Sequence, residues 1–172
     1  MLFRSIKRYQ RDPQTMLAPA SLRAVHPLGK SPVITDNDLT LAESGAIIEY
    51  LIDRYGEGRL SPQNGTPEHL RYIYWLHYAE GSLMPPLLLN LTFSEIVKRS
   101  PFLVRPIILA ISQSIKNSYI TPQITLHLNY LESELANSDW FVGSNFTAAD
   151  IQMSFPLETA ADRASLARLY PF

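Results

Sequence analysis

The sequence contains no cysteine among its 172 residues. This absence excludes a disulfide framework, a cysteine-ligated zinc site and a cysteine nucleophile within these residues, and it suits a reducing compartment. An excess of charge of one sign is lacking too, since 15 Lys and Arg stand against 16 Asp and Glu. A chain without a basic excess lacks the electrostatic footprint of a nucleic-acid-binding protein. We therefore expect a cytoplasmic protein without nucleic-acid partners.

Long hydrophobic runs are also missing. The most apolar stretch, residues 102–111, is interrupted by Arg105 and Pro106, so we expect no membrane span. Residues 1–3 are too short to be the apolar core of a signal peptide. The four histidines are not spaced as metal ligands, so no metal site is expected. What is present, 46% apolar and 18% charged residues, is the composition of a globular protein.

The residue pattern divides the chain into two parts. Residues 1–59 combine a strand near 3–10, a loop with helical potential at 12–25, a hairpin and a helix. Residues 60–66 lie in a stretch rich in glycine, proline and polar residues and are interpreted as a linker. Residues 67–172 show helical spacing only. The predicted fold class is an α/β part followed by an all-α helical bundle domain.

The hairpin is predicted in residues 31–42 from its turn. Apolar segments at 33–34 and 39–41 flank the sequence DND at 36–38, whose side chains favour turns. From Ser44 the apolar spacing becomes helical and continues to Gly56, where a helix end is expected.

Prolines mark the helices of the second part. Pro67 and Pro122 each follow a threonine, the signal of a helix start, and Pro85-Pro86 is expected to break or kink the helix that contains it. After Pro122 the apolar residues form one stripe. They are Ile124, Leu128, Leu131 and Leu135.

A capping box is predicted near residue 150. Thr147 is expected to cap the next helix while Asp150 reaches back, and Phe146 is expected to pack on Ile151. This interpretation is structural, and loss of Thr147 is expected to cost on the order of 1 kcal/mol of stability.

An aromatic set in the first helix of the second part has three interpretations: core, the wall of a pocket for a hydrophobic substrate, or a dimer face. Its members are Tyr72, Tyr74, Trp75 and Tyr78.

Pro32 and the pair Glu43-Ser44 each have a structural and a functional interpretation. Pro32 either begins an edge strand or follows a cis bond that presents the main chain of Val33 to a ligand. Glu43-Ser44 is either an ordinary helix start or a binding site. In a binding site, Ser44 and the first-turn amides would bind a carboxylate, and Glu43 would accept a hydrogen bond from an ammonium group. Lys30, considered alone, indicates only a solvated loop lysine.

Taken together, these features make the chain resemble the glutathione S-transferase family. The segment HPLGKSPVITDNDLTLAESGAIIEYLIDRYG is similar to the family's glutathione site, with strand, cis-proline, hairpin and Glu-Ser helix start in the same order. The segment FTAADIQMSFPLE is similar to the capping-box helix of the family's all-helical C-terminal domain. HPLGKSP and WLHYAEGSLMPPLLL most resemble the class first typed in yeast and widespread in bacteria.

The resemblance implies roles for five residues. Pro32 matches the family's cis-proline, and Val33 the residue whose main chain pairs with the cysteinyl part of glutathione. Glu43 and Ser44 match the pair that holds the γ-glutamyl end, and Lys30 a basic residue for the glycine carboxylate. In physical terms these are charge-assisted hydrogen bonds, each worth roughly 1.5–3 kcal/mol. Glutathione is the expected co-substrate.

The chain also departs from the family, and we expect a fragment. In the family's thioredoxin-like domain a strand and a helix precede the segment matching Ser5 to Asp12, and the catalytic Tyr, Ser or Cys lies at the end of that strand. We therefore expect no catalytic residue here, since Ser5 and Tyr9 are hydroxyls on the wrong strand, and we expect an unpaired sheet edge. The final LARLYPF stops where the family continues into another helix.

The resemblance implies a cytoplasmic homodimer that conjugates glutathione to hydrophobic electrophiles in detoxification. Two alternatives stay open for this chain. One is a non-catalytic binding module with the same fold, and the other is an inactive fragment.

Overall fold

The computed structural model of the chain describes residues 5–15 and 17–163. The chain divides into two compact units, Met1–Arg59 and Leu60–Phe172, which we call unit 1 and unit 2. The predicted fold class is confirmed, because unit 1 combines a small sheet with helices and the elements of unit 2 are helices in the part that the structure describes. The separate linker that the sequence predicts at residues 60–66 stays a prediction.

Among its described residues, unit 1 consists of a short helix, a two-stranded antiparallel sheet and a longer helix. Their bounds are Ala20–Arg23 (α1), Val33–Asp36 (β1), Leu39–Ala42 (β2) and Ser44–Tyr55 (α2). The strands pair from Val33↔Ala42 to Asp36↔Leu39. Asn37 turns the chain with a φ of 53°, a conformation that asparagine tolerates better than most residues. The hairpin turn therefore lies where the sequence predicts it.

The strand predicted near residues 3–10 is wrong for the part of it that the structure describes. Residues 5–12 have no regular strand or helix structure, and residues 3 and 4 lie outside the described residues. Alternation indicates a strand when one face of it is buried, whereas the side chain of Ile6 is 90% exposed. Of the helical potential at 12–25, only α1 forms a helix among the described residues.

In the part that the structure describes, unit 2 contains two long helical runs and a further helix, and each long run includes one π-helical turn. The bounds in chain order are Pro67–Tyr78 (α3), a π-helical turn at Ala79–Leu83, Met84–Arg99 (α4), Arg105–Ile115 (α5), a π-helical turn at Lys116–Ile120, Thr121–Leu135 (α6) and Ala148–Arg163 (α7).

Prolines lie in the first turn of four of these helices, Pro106 of α5 among them. Pro67 follows Thr66, whose hydroxyl oxygen accepts the backbone N–H three residues further on at 3.2 Å, as the start signal predicts. Pro85 and Pro86 lie in the first turn of α4, and Pro122 lies in that of α6. Pro85 and Pro86 thus alter the hydrogen-bond pattern of the first run without ending it, since a π-helical turn precedes them.

Most of the aromatic set forms the core of unit 2. Trp75 is fully buried, and Tyr72 and Tyr78 are buried as well. The ring of Trp75 lies with its centre 4.6 Å from that of Phe141. Tyr74, at 45% exposed, is the one member that reaches the surface. Of the three interpretations, the core is the one that fits these three buried rings.

Helix α6 packs on this core through its apolar stripe, of which Leu135 is half-buried and the other three members are buried. On the same helix, Nδ1 of His127 lies 2.5 Å from the Tyr78 hydroxyl. Burial raises the pKa of Tyr78 to about 12 and lowers the pKa of His127. Both shifts favour the neutral forms, and the contact gives the buried Tyr78 hydroxyl a hydrogen-bond partner.

Asp150 fastens the start of α7 to the loop before it. Its buried carboxylate accepts three hydrogen bonds, from the amide and the hydroxyl of Thr147, at 2.7 and 2.9 Å, and from the amide of Phe141, at 2.9 Å. Asp150 thus reaches back as in a capping box. The Thr147 hydroxyl differs from the expectation, because it donates to this carboxylate. Phe146 packs on Trp140, with ring centres 4.8 Å apart.

None of the helices in residues 5–15 and 17–163 combines the length and the hydrophobicity needed to cross a bilayer.

Asp150→Ala should destabilise unit 2 by about 2–5 kcal/mol, because the buried amides of Phe141 and Thr147 both lose their acceptor. Thr147→Val removes only the hydroxyl contact and should cost about 1 kcal/mol. Urea unfolding followed by tryptophan fluorescence measures both losses, since both tryptophans, Trp75 and Trp140, belong to unit 2. Equal losses in the two variants would contradict this account of the carboxylate.

Candidate functional site

The hairpin register brings two separate segments together at one end of the sheet. Val33, the first residue of β1, pairs with Ala42, the last residue of β2. Facing residues of antiparallel strands have Cα atoms about 4.5–5.5 Å apart. Pro32 and Glu43, the next residues outward, therefore flank the same end of the sheet, and Ser44 begins α2 directly after Glu43. The Ser31-Pro32 peptide bond is cis, as the resemblance implies.

Glu43 has a backbone conformation that few side chains adopt, with φ at 76° and ψ at 120°. Such positions cost of order 1–3 kcal/mol and are concentrated at binding and active sites. The exposed Glu43 side chain makes no capping hydrogen bond to α2, so capping does not explain the strain. The strain therefore favours a binding role for this junction over an ordinary helix start.

The start of α2 offers amide donors to a ligand. The helix makes its first internal bond from the Ile47 amide to the Glu43 carbonyl, at 2.9 Å. The amides of Gly45 and Ala46 precede that bond and have no carbonyl partner within the helix. The aligned peptide dipoles add partial positive charge at the same place. A Cβ added to Gly45 would meet no atom within 4 Å, so the space beside this residue is open.

Lys30 is exposed and lies two positions before Pro32. Its neighbour Gly29 is buried, with a φ of 56°. A Cβ at Gly29 would lie 2.6 Å from the Cβ of Ala18 and 3.0 Å from the Cγ of Arg23. Glycine is therefore required where this loop passes α1, and that close contact directs the chain toward Lys30 and the cis bond.

At the other end of the hairpin, Asp36 ties the sheet to α2. Its carboxylate accepts hydrogen bonds from the hydroxyl of Tyr55 and, at 2.7 Å, from that of Tyr50. The bonds from Tyr55 and Tyr50 lower the pKa of Asp36, and the bond to Asp36 raises the pKa of Tyr50 to about 12. The carboxylate is thus ionised at neutral pH and holds the C-terminal half of α2 on the hairpin. Sequence analysis assigned Asp36 to the turn alone and missed this cluster.

A cavity of about 760 Å³ borders β1 on the side away from β2. All four residues of β1 line it, together with parts of the segment 5–9, α1 and α2, whereas no residue of β2 does. The hydroxyl-bearing residues Ser5 and Tyr9 belong to the same wall. Within the described residues, β1 is bonded to one strand only, so its second edge is open.

Four of the predicted site residues thus share one end of the hairpin, and Lys30 lies on the loop that leads into it. They are Pro32, Val33, Glu43 and Ser44. Gly29 was missed as a positioning residue, although its place in HPLGKSP was a signal. Among residues 5–15 and 17–163, no group of three or more His, Asp or Glu side chains is placed to hold a metal ion.

Two family models match the chain. The one described as "Glutathione S-transferase, N-terminal domain" matches residues 8–59, and the one described as "Glutathione S-transferase, C-terminal domain" matches residues 108–166. The first match contains Lys30, Pro32, Val33, Glu43 and Ser44.

Known proteins resemble the chain over most of its length. Glutathione S-transferase 3 of Schizosaccharomyces pombe is 36% identical over 143 residues, which are 83% of this chain and 59% of the yeast protein. A crystal structure of a glutathione S-transferase from Actinobacillus pleuropneumoniae has a TM-score of 0.67 and 34% identity, and covers 93% of this chain and 70% of that one. The glutathione transferase URE2P6 of Phanerochaete chrysosporium, solved with oxidised glutathione, has a TM-score of 0.63 and 26% identity. The match covers 87% of this chain and 66% of that one.

Gly29→Ala should destabilise unit 1 by about 2 kcal/mol or more, because the new Cβ meets Ala18 and the positive φ disfavours alanine. Gly45→Ala is the matched control, since open space surrounds it and alanine favours a helix by up to about 1 kcal/mol. Neither tryptophan lies in unit 1, so amide hydrogen exchange of residues 33–55 is the measurement. We expect exchange to be about 30-fold faster in Gly29→Ala and no faster in Gly45→Ala. Unchanged exchange in Gly29→Ala would refute the proposed close contact.

Proposed function

The chain belongs to the glutathione S-transferase family, and we propose that it binds glutathione at the end of the hairpin where Pro32, Val33, Glu43 and Ser44 meet. The observation that carries the proposal is the Val33↔Ala42 pair, because it sets a strand end beside the N-terminus of α2. The relative solved with oxidised glutathione supports the same class of ligand here.

The γ-glutamyl end of glutathione carries a carboxylate and an ammonium group. We assign the carboxylate to the Ser44 hydroxyl and the first-turn amides of α2, because the helix dipole and the N–H groups there favour an anion. The exposed carboxylate of Glu43 takes the ammonium group. Each charge-assisted hydrogen bond contributes roughly 1.5–3 kcal/mol, so two or three of them suffice for a specific small-molecule site.

The cysteinyl part of glutathione is a peptide unit that a strand edge recognises through its main chain. The open edge of β1 in the described residues supports this assignment, and Val33, directly after the cis bond, is the residue assigned to it. The glycine end carries a second carboxylate. We assign it to Lys30, whose ammonium is a compact charge on a flexible stem.

For the whole protein we propose transfer of glutathione to hydrophobic electrophiles in detoxification, in the cytoplasm and as a homodimer. Family membership is the support for this activity. No residue of this chain is assigned as catalytic.

A second candidate function is glutathione binding without conjugation. It is favoured by the lack of cysteine and by the position of the hydroxyls of Ser5 and Tyr9, which lie on a segment without regular structure. A thiol with a pKa near 8.5 is mostly protonated at neutral pH unless a donor holds the thiolate.

Ser44→Ala should weaken glutathione binding by about 1–3 kcal/mol, a factor of roughly 5–150, because it removes a donor to the γ-glutamyl carboxylate. Titration calorimetry with reduced glutathione measures the affinity. Ser154→Ala is the matched control, since it deletes an exposed helix hydroxyl in unit 2 that bonds the Ile151 carbonyl at 2.8 Å. An equal affinity in Ser44→Ala and the control, or no binding by the unmodified chain, would contradict the site.

The pH dependence of conjugation separates the two candidate functions. If no group of this chain holds the thiolate, the rate with a standard aromatic electrophile should rise about tenfold per pH unit up to about pH 8.5. It should also be about 30-fold lower at pH 7 than with a fully formed thiolate, because a thiol with a pKa near 8.5 is only about 3% ionised there. A plateau below about pH 7 would show that the chain activates the thiol, and Ser5→Ala and Tyr9→Phe would then identify the group.

A further inference from the structure

The loop between α4 and α5 exposes two adjacent large apolar side chains. Phe102 is 82% exposed and Leu103 is 86% exposed. Single exposed apolar residues are common, but adjacent ones that continue into a larger patch mark interaction surfaces. Here the patch continues, since Val104 is 42% exposed and Ile107, in the first turn of α5, is 65% exposed.

Helix α5 extends the patch along one stripe. Val104, Ile107 and Ile111 are spaced by three and four residues, which places them on the same side of a helix. Ile111 is 55% exposed, so this stripe faces outward along its length. An apolar stripe of this kind normally packs on another element. We call residues 98–111 the α4–α5 tip.

Most of the charged side chains around the tip are cations. None of residues 96–131 is acidic, whereas four of them are Lys or Arg. Lys98 and Arg99 have exposed side chains and share the single carboxylate of Glu95, at 2.8 and 3.6 Å. Arg105 donates to the carbonyls of Ser100, at 3.0 Å, and Lys98, at 3.4 Å, so a cation also closes the loop.

From this juxtaposition we propose that the α4–α5 tip docks on an anionic lipid surface. Phe102 and Leu103 enter the boundary between headgroups and acyl chains, and Lys98 and Arg99 contact the anionic headgroups. Apolar side chains flanked by cations bind such surfaces through the combination of buried apolar area and electrostatic attraction. The docking is peripheral and needs no membrane-spanning helix.

A second copy of the chain is the competing occupant, and the charges disfavour it. A two-fold pairing through this patch would set Lys98, Arg99 and Arg105 of one copy beside the same residues of the other. The single carboxylate of Glu95, which Lys98 and Arg99 already share, offsets only part of that repulsion, and like charges across an interface cost free energy. An anionic membrane supplies the apolar phase and the opposite charge together.

Sedimentation with lipid vesicles tests the proposal. The chain should bind vesicles of equal parts phosphatidylcholine and phosphatidylserine, less tightly as salt rises, and bind pure phosphatidylcholine weakly. The double variant Phe102→Ser, Leu103→Ser should bind the anionic vesicles at least about tenfold more weakly than the unmodified chain does. Leu70→Ser is the matched control, since Leu70 is 70% exposed on α3, and it should bind as the unmodified chain does.

The charge contribution is tested separately. Lys98→Gln with Arg99→Gln should also lower binding to anionic vesicles about tenfold. Lys7→Gln with Arg8→Gln, an exposed basic pair in unit 1, is the control and should leave binding unchanged. Circular dichroism checks that each variant is folded, which we expect because the replaced side chains are exposed.

Fluorescence reports insertion directly. A tryptophan introduced by Phe102→Trp should shift its emission to shorter wavelength on anionic vesicles, whereas one introduced by Leu70→Trp should not. The proposal is overturned if the unmodified chain does not bind these vesicles, if both serine variants lose binding equally, or if the Phe102→Trp emission does not move. A change of oligomeric state in the double serine variant, without vesicle binding by the unmodified chain, would assign the tip to a protein interface instead.

Discussion

The pairing of β1 with β2 is the constraint on which unit 1 depends. Because the turn leaves Asp36 opposite Leu39, Val33 lies opposite Ala42, and the next residues outward meet at the start of α2. A slip of one residue would turn the side chains of a strand to the opposite face and separate these segments. The register also fixes the far end of α2, since Asp36 accepts hydrogen bonds from the hydroxyls of two tyrosines of that helix. Helix α2 is therefore held at both ends, and its N-terminus has a defined position.

Unit 2 follows a similar rule, in which a hydrogen-bond requirement decides the shape of the helices. A proline gives no N–H to the carbonyl four residues before it. In both long runs the amide directly before the proline bonds five residues back, from Met84 to Ala79 and from Thr121 to Lys116. The wider turn accommodates the prolines within a continuous helical run. Each run thus keeps one face on the core around Trp75.

Two sequence patterns failed or stayed open because each depends on a partner that a local window does not contain. Alternation near residues 3–10 predicts a strand, but a strand needs a neighbour and a buried face, and Ile6 has no buried face. The aromatic set was compatible with core, pocket or interface. The burial of Trp75 beside Phe141, far away in sequence, decided for the core.

The sequence by itself determined what neighbouring residues settle by their own chemistry: the hairpin turn, the helix start at Thr66-Pro67, the family, and the order of residues around Pro32 and Glu43. The tertiary structure alone decided which distant residues meet. Asp36 and Tyr55 are 19 residues apart, and Gly29 must be glycine only because Ala18 lies against it. Turns and caps satisfy their hydrogen bonds within a few residues, so a short window records them. Long-range hydrogen bonds and close contacts exist only once the elements have packed, and no window of the sequence contains both partners.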